Sequence, residues 1–383
     1  MLKKTEKRKK TKKKKIVCII MIVIAALLLL LLAAGGLLLA SYLSKVQYDN
    51  TDQTAETADV SQSGLTDEEI LQELFAEESI SDETDTAQDE IDALEQQMKE
   101  QLDNASGKGE NSSGTGSDTE KADDLFNILV IGCDSRKKGG VGRSDAMILF
   151  SVNEKTKKIH MTSIMRDSYV AIPGKKNNRI NAAYAFGGGS LLLETVATNF
   201  DVDVDKYVSF DFYSFVDVVD SMGGIEIEVT EEEIPYLNAY VRELNKLNGR
   251  EEGTYYVTQS GLQHLNGTQA LGYTRIRYVG DGDFDRTGRQ RKVIARIFEK
   301  AKTMNLLEIN DLLNAFLPQV TTNLTQQEIL SLLLKALDYL QYDLESHRIP
   351  VDGSWKYMRV NGMSVLGIDL EKNQKALKEF IAQ

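Results

Sequence analysis

Apolar and polar residues follow two kinds of periodicity in the second part of this chain. Residues 126–132 are apolar on both faces of a strand, which is typical of a sheet covered by helices on both sides. Further strand patterns alternate with apolar stripes at helical spacing. The predicted strands are 126–132, 146–152, 159–165, 206–210, 225–229 and 348–351, and the predicted helices are 191–200, 211–222, 233–247, 284–302, 306–316, one capped by Thr325 and Glu328, and one ending near Gln383. This alternation predicts an α/β sandwich with a central mixed sheet.

A long apolar run near the start predicts a single transmembrane helix before that domain. Residues 16–40 are all apolar, and a helix of this length spans about 37 Å at about 1.5 Å per residue, enough for a bilayer core. A cleaved signal peptide has a shorter apolar run of about 7 to 15 residues. Residues 1–15 carry ten Lys and Arg residues, which by the positive-inside rule places them in the cytoplasm. We therefore expect a cell-membrane protein whose folded domain is extracytoplasmic.

Residues 41–125 predict an acidic extracytoplasmic linker. From position 46 to 125 there are 24 Asp and Glu residues against three lysines, a composition that cannot bury enough apolar surface to fold alone. A capping-box pattern at Thr66 and Glu69 predicts a short helix within it, continuing through Ile91 and Leu94. The formal net charge of −13 thus describes the linker. No domain-wide basic face is present, which argues against nucleic acid as a partner.

Arginine and aspartate, rather than histidine, carry the candidate chemistry. The three histidines have no acidic or cysteine neighbours at ligand spacing, so neither a zinc site nor a Ser-His-Asp triad is expected. Asp134 follows the predicted central strand, and Arg143 and Asp145 stand across a glycine-rich loop at the start of the next. Carboxylates beside substrate phosphates are the ligands that Mg²⁺ prefers. Taken alone, these residues also fit a solvated turn.

Two further arginine groups lie at predicted strands. Arg166 ends one strand, and Arg275 and Arg277 stand two apart in a predicted strand at 273–277, so that they share a face. Two like charges on one face repel each other unless an anion or a carboxylate lies between them. The alternative is an edge strand with solvated arginines.

The helix predicted at 284–302 begins with a polar extension of its apolar stripe. Gln290 and Arg286 continue, at four-residue intervals, the row that contains Phe298. A polar pair in line with the core, at a helix N-terminus, favours an enclosed anionic ligand. Arg291 and Arg296 fall outside this row, and we expect both to be solvated or to form surface ion pairs.

The order of these motifs resembles that of the LytR-CpsA-Psr family of cell-wall assembly proteins. The motifs are GCDSR, GRSD, MRD, RINAAY, LNGTQALGYTRIR and DFDRTGRQR. They cover the region 126–383, and the resemblance implies that this region is one catalytic α/β/α domain. It implies the transfer of a phosphate-linked glycopolymer, such as teichoic acid or capsular polysaccharide, from a polyprenyl pyrophosphate carrier to peptidoglycan. Met165 departs from the family, which commonly has proline before the Arg-Asp pair.

The resemblance also implies roles for single residues, with Mg²⁺ as cofactor. The implied metal ligands are Asp134 and Asp145. The implied pyrophosphate-binding residues are Arg143, Arg166, Arg275, Arg277, Arg286 and Gln290. The implied catalytic residues are Asp134, Arg166, Arg275 and Asp283, with proton removal by Asp134 or Asp283 left open. Apolar segments 191–196 and 212–219 either line a groove for the polyprenyl tail or belong to the core. A hydrolase of the same lipid and a noncatalytic envelope regulator are the alternative functions.

Overall fold

Strands and helices alternate in the structure as the apolar pattern predicts. The computed structural model describes residues 40–49, 87–106, 125–134 and 143–383. Its strands are β1 Gln47–Tyr48, β2 Leu125–Asp134, β3 Arg143–Asn153, β4 Lys158–Ile164, β5 Ser168–Val170, β6 Asn178–Arg179, β7 Tyr207–Asp211, β8 Ile225–Val229, β9 Gly261–Leu265, β10 Thr321–Thr322, β11 Asp343–Ile349, β12 Trp355–Val360 and β13 Met363–Ile368. Its helices are α1 Gln88–Ser106, α2 Ala182–Phe200, α3 Phe212–Ser221, α4 Ile234–Leu247, α5 Gly267–Thr274, α6 Gly282–Ala301, α7 Leu306–Phe316, α8 Gln326–Tyr339 and α9 Leu370–Ile381.

The main sheet has β2 at its centre, which confirms the prediction from its two apolar faces. The strand order is β1-β10-β7-β2-β3-β4-β11. β2 pairs antiparallel with β3 and parallel with β7, so the sheet is mixed, as predicted. Leu129 and Ile131 of β2 are fully buried. At the far end of this pairing Asp134 stands opposite Arg143, and the fold thereby brings two of the predicted site residues to one end of the sheet.

Helix α1 comes from the region predicted to be a linker, yet it packs on the folded core. Ile91 and Met98 are buried in the same cluster as β2, with Leu94 packed against it, and Glu95 accepts a hydrogen bond of 2.7 Å from the Tyr169 hydroxyl. The helix is 19 residues long. Its apolar residues recur at intervals of three and four, so a narrow stripe is enough to dock an otherwise acidic helix. The predicted capping box at 66–69 lies outside the described residues.

The predicted strand at 273–277 is wrong, because helix α5 includes its first two residues and ends at Thr274. Asn266 accepts from the Gln269 backbone N–H, and the Gln269 side chain accepts from the Asn266 N–H, both at 2.9 Å. This capping box starts a helix ahead of the strand-like residues and overrides their local preference. Arg275 caps the helix at its C-terminal end. The two arginines therefore do not share a strand face.

Within the described residues, no helix combines the length and the apolar composition needed to cross a bilayer. The predicted span at 16–40 lies outside these residues except for Ala40. Residues Gln47–Gln383 form one compact unit.

The two helical segments considered for a lipid groove differ in burial. Leu192 and Val196 of α2 are fully buried, so this segment belongs to the core. In α3, Val219 is buried but Phe215 is only partly buried. Helix α7 packs against α3, and none of its side chains is buried. Apolar side chains of α3 and α7 are therefore incompletely covered.

Candidate functional site

A buried arginine contacts three carboxylates beyond the end of β4. Arg166 is 6% exposed. Its Nη1 donates to Asp145 Oδ1 at 2.6 Å and its Nε to Asp283 Oδ2 at 3.3 Å, while Asp167 Oδ2 lies 3.7 Å from Nε. The carboxylates belong to β3, to the segment between β4 and β5, and to the first turn of α6. Since buried charges require compensation, one guanidinium is not enough for all three.

Three more arginines complete what we call the acid–arginine cluster. Arg286 is 2% exposed, and its Nη2 donates to Asp283 Oδ2 at 2.8 Å and to the Asp145 backbone oxygen at 3.4 Å. Arg277 Nε lies 3.7 Å from Asp283 Oδ1, with 37% of its side chain exposed. Arg179 Nη1 lies 3.3 Å from Asp167 Oδ1. Four arginines against three carboxylates leave the cluster formally cationic, and Arg277 is its accessible cation.

The pKa values of the three carboxylates in the cluster shift in different directions. Burial alone would raise the pKa of Asp145 and of Asp283, but the guanidiniums of Arg166, Arg286 and Arg277 outweigh burial and lower both pKa values. For Asp167, burial raises the pKa, and the nearby negative charge of Asp283 raises it further. Two carboxylates are therefore held ionised by cations, and the third is the more basic one.

The donor atoms of the cluster suit a hard divalent cation. Mg²⁺ is usually held by one or two carboxylates, together with waters and substrate phosphates. Asp145 and Asp283 share Arg166 as a partner, and both are ionised. Of the predicted metal pair, Asp145 lies in the cluster, whereas the side chain of Asp134 is outside the described part of the chain. In that part, no group of three or more His, Cys, Asp or Glu side chains is arranged to hold a metal ion by itself.

Some predicted residues lie at the rim or away from the cluster. Arg275 lies over the ring of Tyr240, 4.8 Å from its centroid, and 3.6 Å from Glu243, so these contacts reach α4. Gln290 is partly buried one turn after Arg286 on α6. Arg143 begins β3 beside Asp134 in the ladder.

Arg291 is only partly exposed, and its buried Nη1 differs from the solvated or ion-paired side chain predicted from helical spacing. Its Nη1 is buried and has no hydrogen-bond partner within the described residues. Burial, together with the charge of Arg348, lowers the Arg291 pKa to about 10. Helix α6 packs against α5, β4 and β8, so more than one of its faces is covered. Arg296, on the same helix, is exposed as expected.

Sequence reasoning missed Asp167 and Arg179. Both stand inside the quoted motifs, in MRD and RINAAY, but no role was derived for them. The signal for Asp167 was its position next to Arg166 at a strand end. Asp167 directly precedes β5, and its ion-pair partner Arg179 lies in β6. Neither of these short strands was predicted.

Arg289 was also missed, and it holds the segment that carries Arg277. Its Nε donates to Glu233 at 2.8 Å. Its two terminal nitrogens donate to the backbone oxygens of Ile276, at 3.3 Å, and Val279, at 3.0 Å. Arg289 is therefore a positioning residue. The fork of an arginine can reach all three acceptors, which the single nitrogen of lysine cannot.

Comparisons with known proteins agree with this framework. Residues 80–381 match the LytR_cpsA_psr family model. A protein of Bacillus anthracis, named polyisoprenyl-teichoic acid–peptidoglycan teichoic acid transferase TagU, is 32% identical over 259 residues, covering 65% of this chain and 78% of that protein. A structure described as TagT bound to LIIa-WTA is 27% identical with a TM-score of 0.55, covering 71% and 96% of the two chains. The family protein YwtF (TagT) with bound octaprenyl pyrophosphate lipid is 26% identical with a TM-score of 0.51, covering 72% and 98%.

Proposed function

The chain belongs to the LytR-CpsA-Psr family, whose model matches residues 80–381, and we propose that it transfers a phosphate-linked glycopolymer from polyprenyl pyrophosphate to peptidoglycan. The observation that carries the proposal is the acid–arginine cluster, in which buried Arg166 and Arg286 support the accessible Arg277. Planar guanidiniums bind phosphate oxygens in bidentate geometry. The relative named as a teichoic acid transferase and the TagT structure with octaprenyl pyrophosphate support this substrate class.

The proposed reaction is an attack by a sugar hydroxyl on the phosphorus that bears the polymer. A new P–O bond to peptidoglycan forms, the P–O bond to the carrier's remaining phosphate breaks, and polyprenyl phosphate leaves with that electron pair. The arginines offset the negative charge on the phosphates and hold them in place. Asp145 and Asp283 would hold a Mg²⁺ ion, which would supply further positive charge to the phosphates. The hydroxyl proton passes to a carboxylate of the cluster.

We propose Asp167, rather than Asp283, as the group that removes the proton; the side chain of the other candidate, Asp134, lies outside the described residues. Burial and the charge of Asp283 raise the pKa of Asp167, and a more basic carboxylate is the stronger proton acceptor as long as it stays ionised at the working pH. Asp283 is a weaker base, because the guanidiniums around it lower its pKa.

Replacing Asp167 by asparagine is expected to lower the turnover number by about 10² to 10⁴, with donor affinity changed little. Single-turnover transfer and donor titration measure the two quantities separately. Asp338→Asn, at an exposed position of α8, is the matched control. Full turnover in a folded Asp167→Asn variant would remove this carboxylate from the reaction.

Asp145→Asn is expected to raise the Mg²⁺ concentration needed for half-maximal turnover about tenfold or more, since a charged ligand of a hard cation is lost. A second readout is the Mg²⁺-induced rise in Tm in the presence of inorganic pyrophosphate, which the variant should lose. An unchanged Mg²⁺ requirement together with an unchanged Tm response would exclude Asp145 as a ligand.

The product distinguishes the proposed transferase from its alternatives. The full chain in lipid vesicles would receive a polyprenyl pyrophosphate-linked glycopolymer and peptidoglycan. A transferase yields polymer phosphate bound covalently to peptidoglycan. A hydrolase yields free phosphorylated polymer, and a noncatalytic regulator yields neither, so either result would overturn the proposal.

We further propose that the polyprenyl tail lies along α3 and α7. The incompletely covered apolar side chains of both helices support this placement, because a hydrocarbon chain would remove them from water. The TagT structure with bound octaprenyl pyrophosphate is consistent with a lipid site in this fold.

An N-terminal membrane anchor also remains our proposal, supported by the apolar run at 16–40 and the basic residues before it. Protease added outside wall-stripped cells is therefore expected to digest the domain from Phe126 onward. The control is a cytoplasmic marker protein, which should stay intact. Protection of the domain under these conditions would contradict the topology.

A further inference from the structure

Three aromatic side chains connect the acid–arginine cluster to an exposed sheet edge. Phe284, which directly follows Asp283, is buried and stacks on Trp355, with ring centroids 4.5 Å apart. Trp355 meets Tyr357 edge-on at 5.1 Å. Tyr357 is 64% exposed and lies on β12, the edge strand of the sheet β12-β13-β5-β6. We call Trp355 and Tyr357 the aromatic platform.

Phe284, the inner ring of this row, contacts an arginine that is itself ion-paired. The Arg348 guanidinium lies over the Phe284 ring, 4.3 Å from its centroid, and pairs with Asp352 at 2.5 Å. A ring packed between a cation and a second ring has little freedom to move. The inner end of the row is therefore rigid, whereas Trp355 is partly exposed and Tyr357 is open to solvent.

Carboxylates of the cluster affect the hydroxyl of Tyr357. Burial raises the pKa of its hydroxyl, and the carboxylates of Asp281, Asp283 and Asp167 raise it further. The platform thus borders carboxylates that are paired within the cluster, Asp283 with Arg286 and Asp167 with Arg179. These ion pairs offset the negative charge there, and a hydrocarbon chain gains nothing from carboxylates. An uncharged ligand rich in hydroxyl groups fits both the ring and the acceptors.

We propose that Tyr357 and Trp355 bind a sugar ring of the acceptor glycan strand and present its hydroxyl to the cluster. The apolar C–H face of a pyranose ring stacks on an aromatic face, and the carboxylates accept hydrogen bonds from its hydroxyls. This inference rests on the proposed function, since it assigns the acceptor to that same site. It places the acceptor beside Asp283, the neighbour of Phe284 in the chain, while the accessible Arg277 remains for the donor.

Trp355 is the only tryptophan of the chain, so its fluorescence reports on the platform directly. The full chain in vesicles would be titrated with soluble peptidoglycan glycan strands freed of their peptides. We expect a saturable change in emission. Tyr357→Ala should weaken glycan affinity at least about tenfold, as truncation of a central aromatic contact does, and Tyr357→Phe should retain most of it. Affinity for polyprenyl pyrophosphate should be unchanged in both variants.

Tyr255→Ala is the matched control, because Tyr255 is also exposed but lies over Arg250, 5.3 Å from the guanidinium carbon. Glycan affinity that is unchanged in Tyr357→Ala, or lowered equally in Tyr255→Ala, would overturn the inference. The inference would also be overturned if Tyr357→Ala lowered donor affinity or vesicle binding and left glycan affinity unchanged, because the platform would then bind the lipid. None of these results would affect transfer by the wild-type chain. The proposed function itself fails only if the wild-type chain does not transfer the polymer.

Discussion

Replacement of Arg166 by methionine is expected to abolish transfer and to lower the free energy of unfolding by about 3 to 5 kcal/mol, the usual effect of removing one partner of a buried ion pair. Arg166 contacts Asp145, Asp167 and Asp283, and all three carboxylates are largely shielded from water. Without it they repel one another, and Asp145 loses its 2.6 Å partner. Denaturant unfolding of the full chain in detergent, followed by the fluorescence of Trp355, measures the change.

A second substitution tests whether the lost stability comes from uncompensated charge. Adding Asp145→Asn to the Arg166→Met variant removes one of the unpaired carboxylates and should recover part of the stability, without recovering transfer. Arg296→Met, at an exposed position of α6, controls for the loss of an arginine and should lie within about 0.5 kcal/mol of the wild type. A similar stability of Arg166→Met and Arg296→Met would show that the cluster does not depend on its central cation.

Arg286→Lys is expected to weaken binding of polyprenyl pyrophosphate about tenfold to a hundredfold, with a matching loss of transfer. Arg286 Nη2 bridges Asp283 and the Asp145 backbone oxygen, and its buried Nε has no hydrogen-bond partner among the described residues. Lysine keeps the charge but lacks the planar fork. The loss of a charge-assisted hydrogen bond costs about 1.5 to 3 kcal/mol, which corresponds to this range of affinity. Titration of vesicles that contain the lipid measures it.

The same helix provides the control for this measurement. Arg296→Lys should change donor affinity less than about twofold, because the side chain is exposed. Arg291 is unsuitable as a control, since its Nη1 is buried. Arg275→Lys should have a smaller effect than Arg286→Lys, because Arg275 contacts Tyr240 and Glu243 of α4. Equal effects of Arg286→Lys and Arg296→Lys would place the pyrophosphate elsewhere.

Elements whose signals are local could be predicted from the sequence. Residues 126–132 are apolar on both faces, and this pattern alone indicated a central strand. Thr325 and Glu328 form the capping box that their spacing predicted. Arg286 is buried because it continues the apolar row of α6. In each case a side chain is placed by neighbours within a few positions of the chain, so periodicity contains the information.

Only the tertiary structure decided which charged residues meet. Arg166 lies 21 positions from Asp145 and 117 from Asp283, and no local pattern encodes either contact. The partial burial of Arg291 was not predicted for the same reason, since it depends on packing from several elements. The docking of the acidic helix α1 on the core was not predicted either, because the core residues it contacts are distant in sequence. Local preferences along the chain determine which elements form. Long-range packing determines the burial and the charges around each side chain, which raise the pKa of Asp167 and lower those of Asp145 and Asp283.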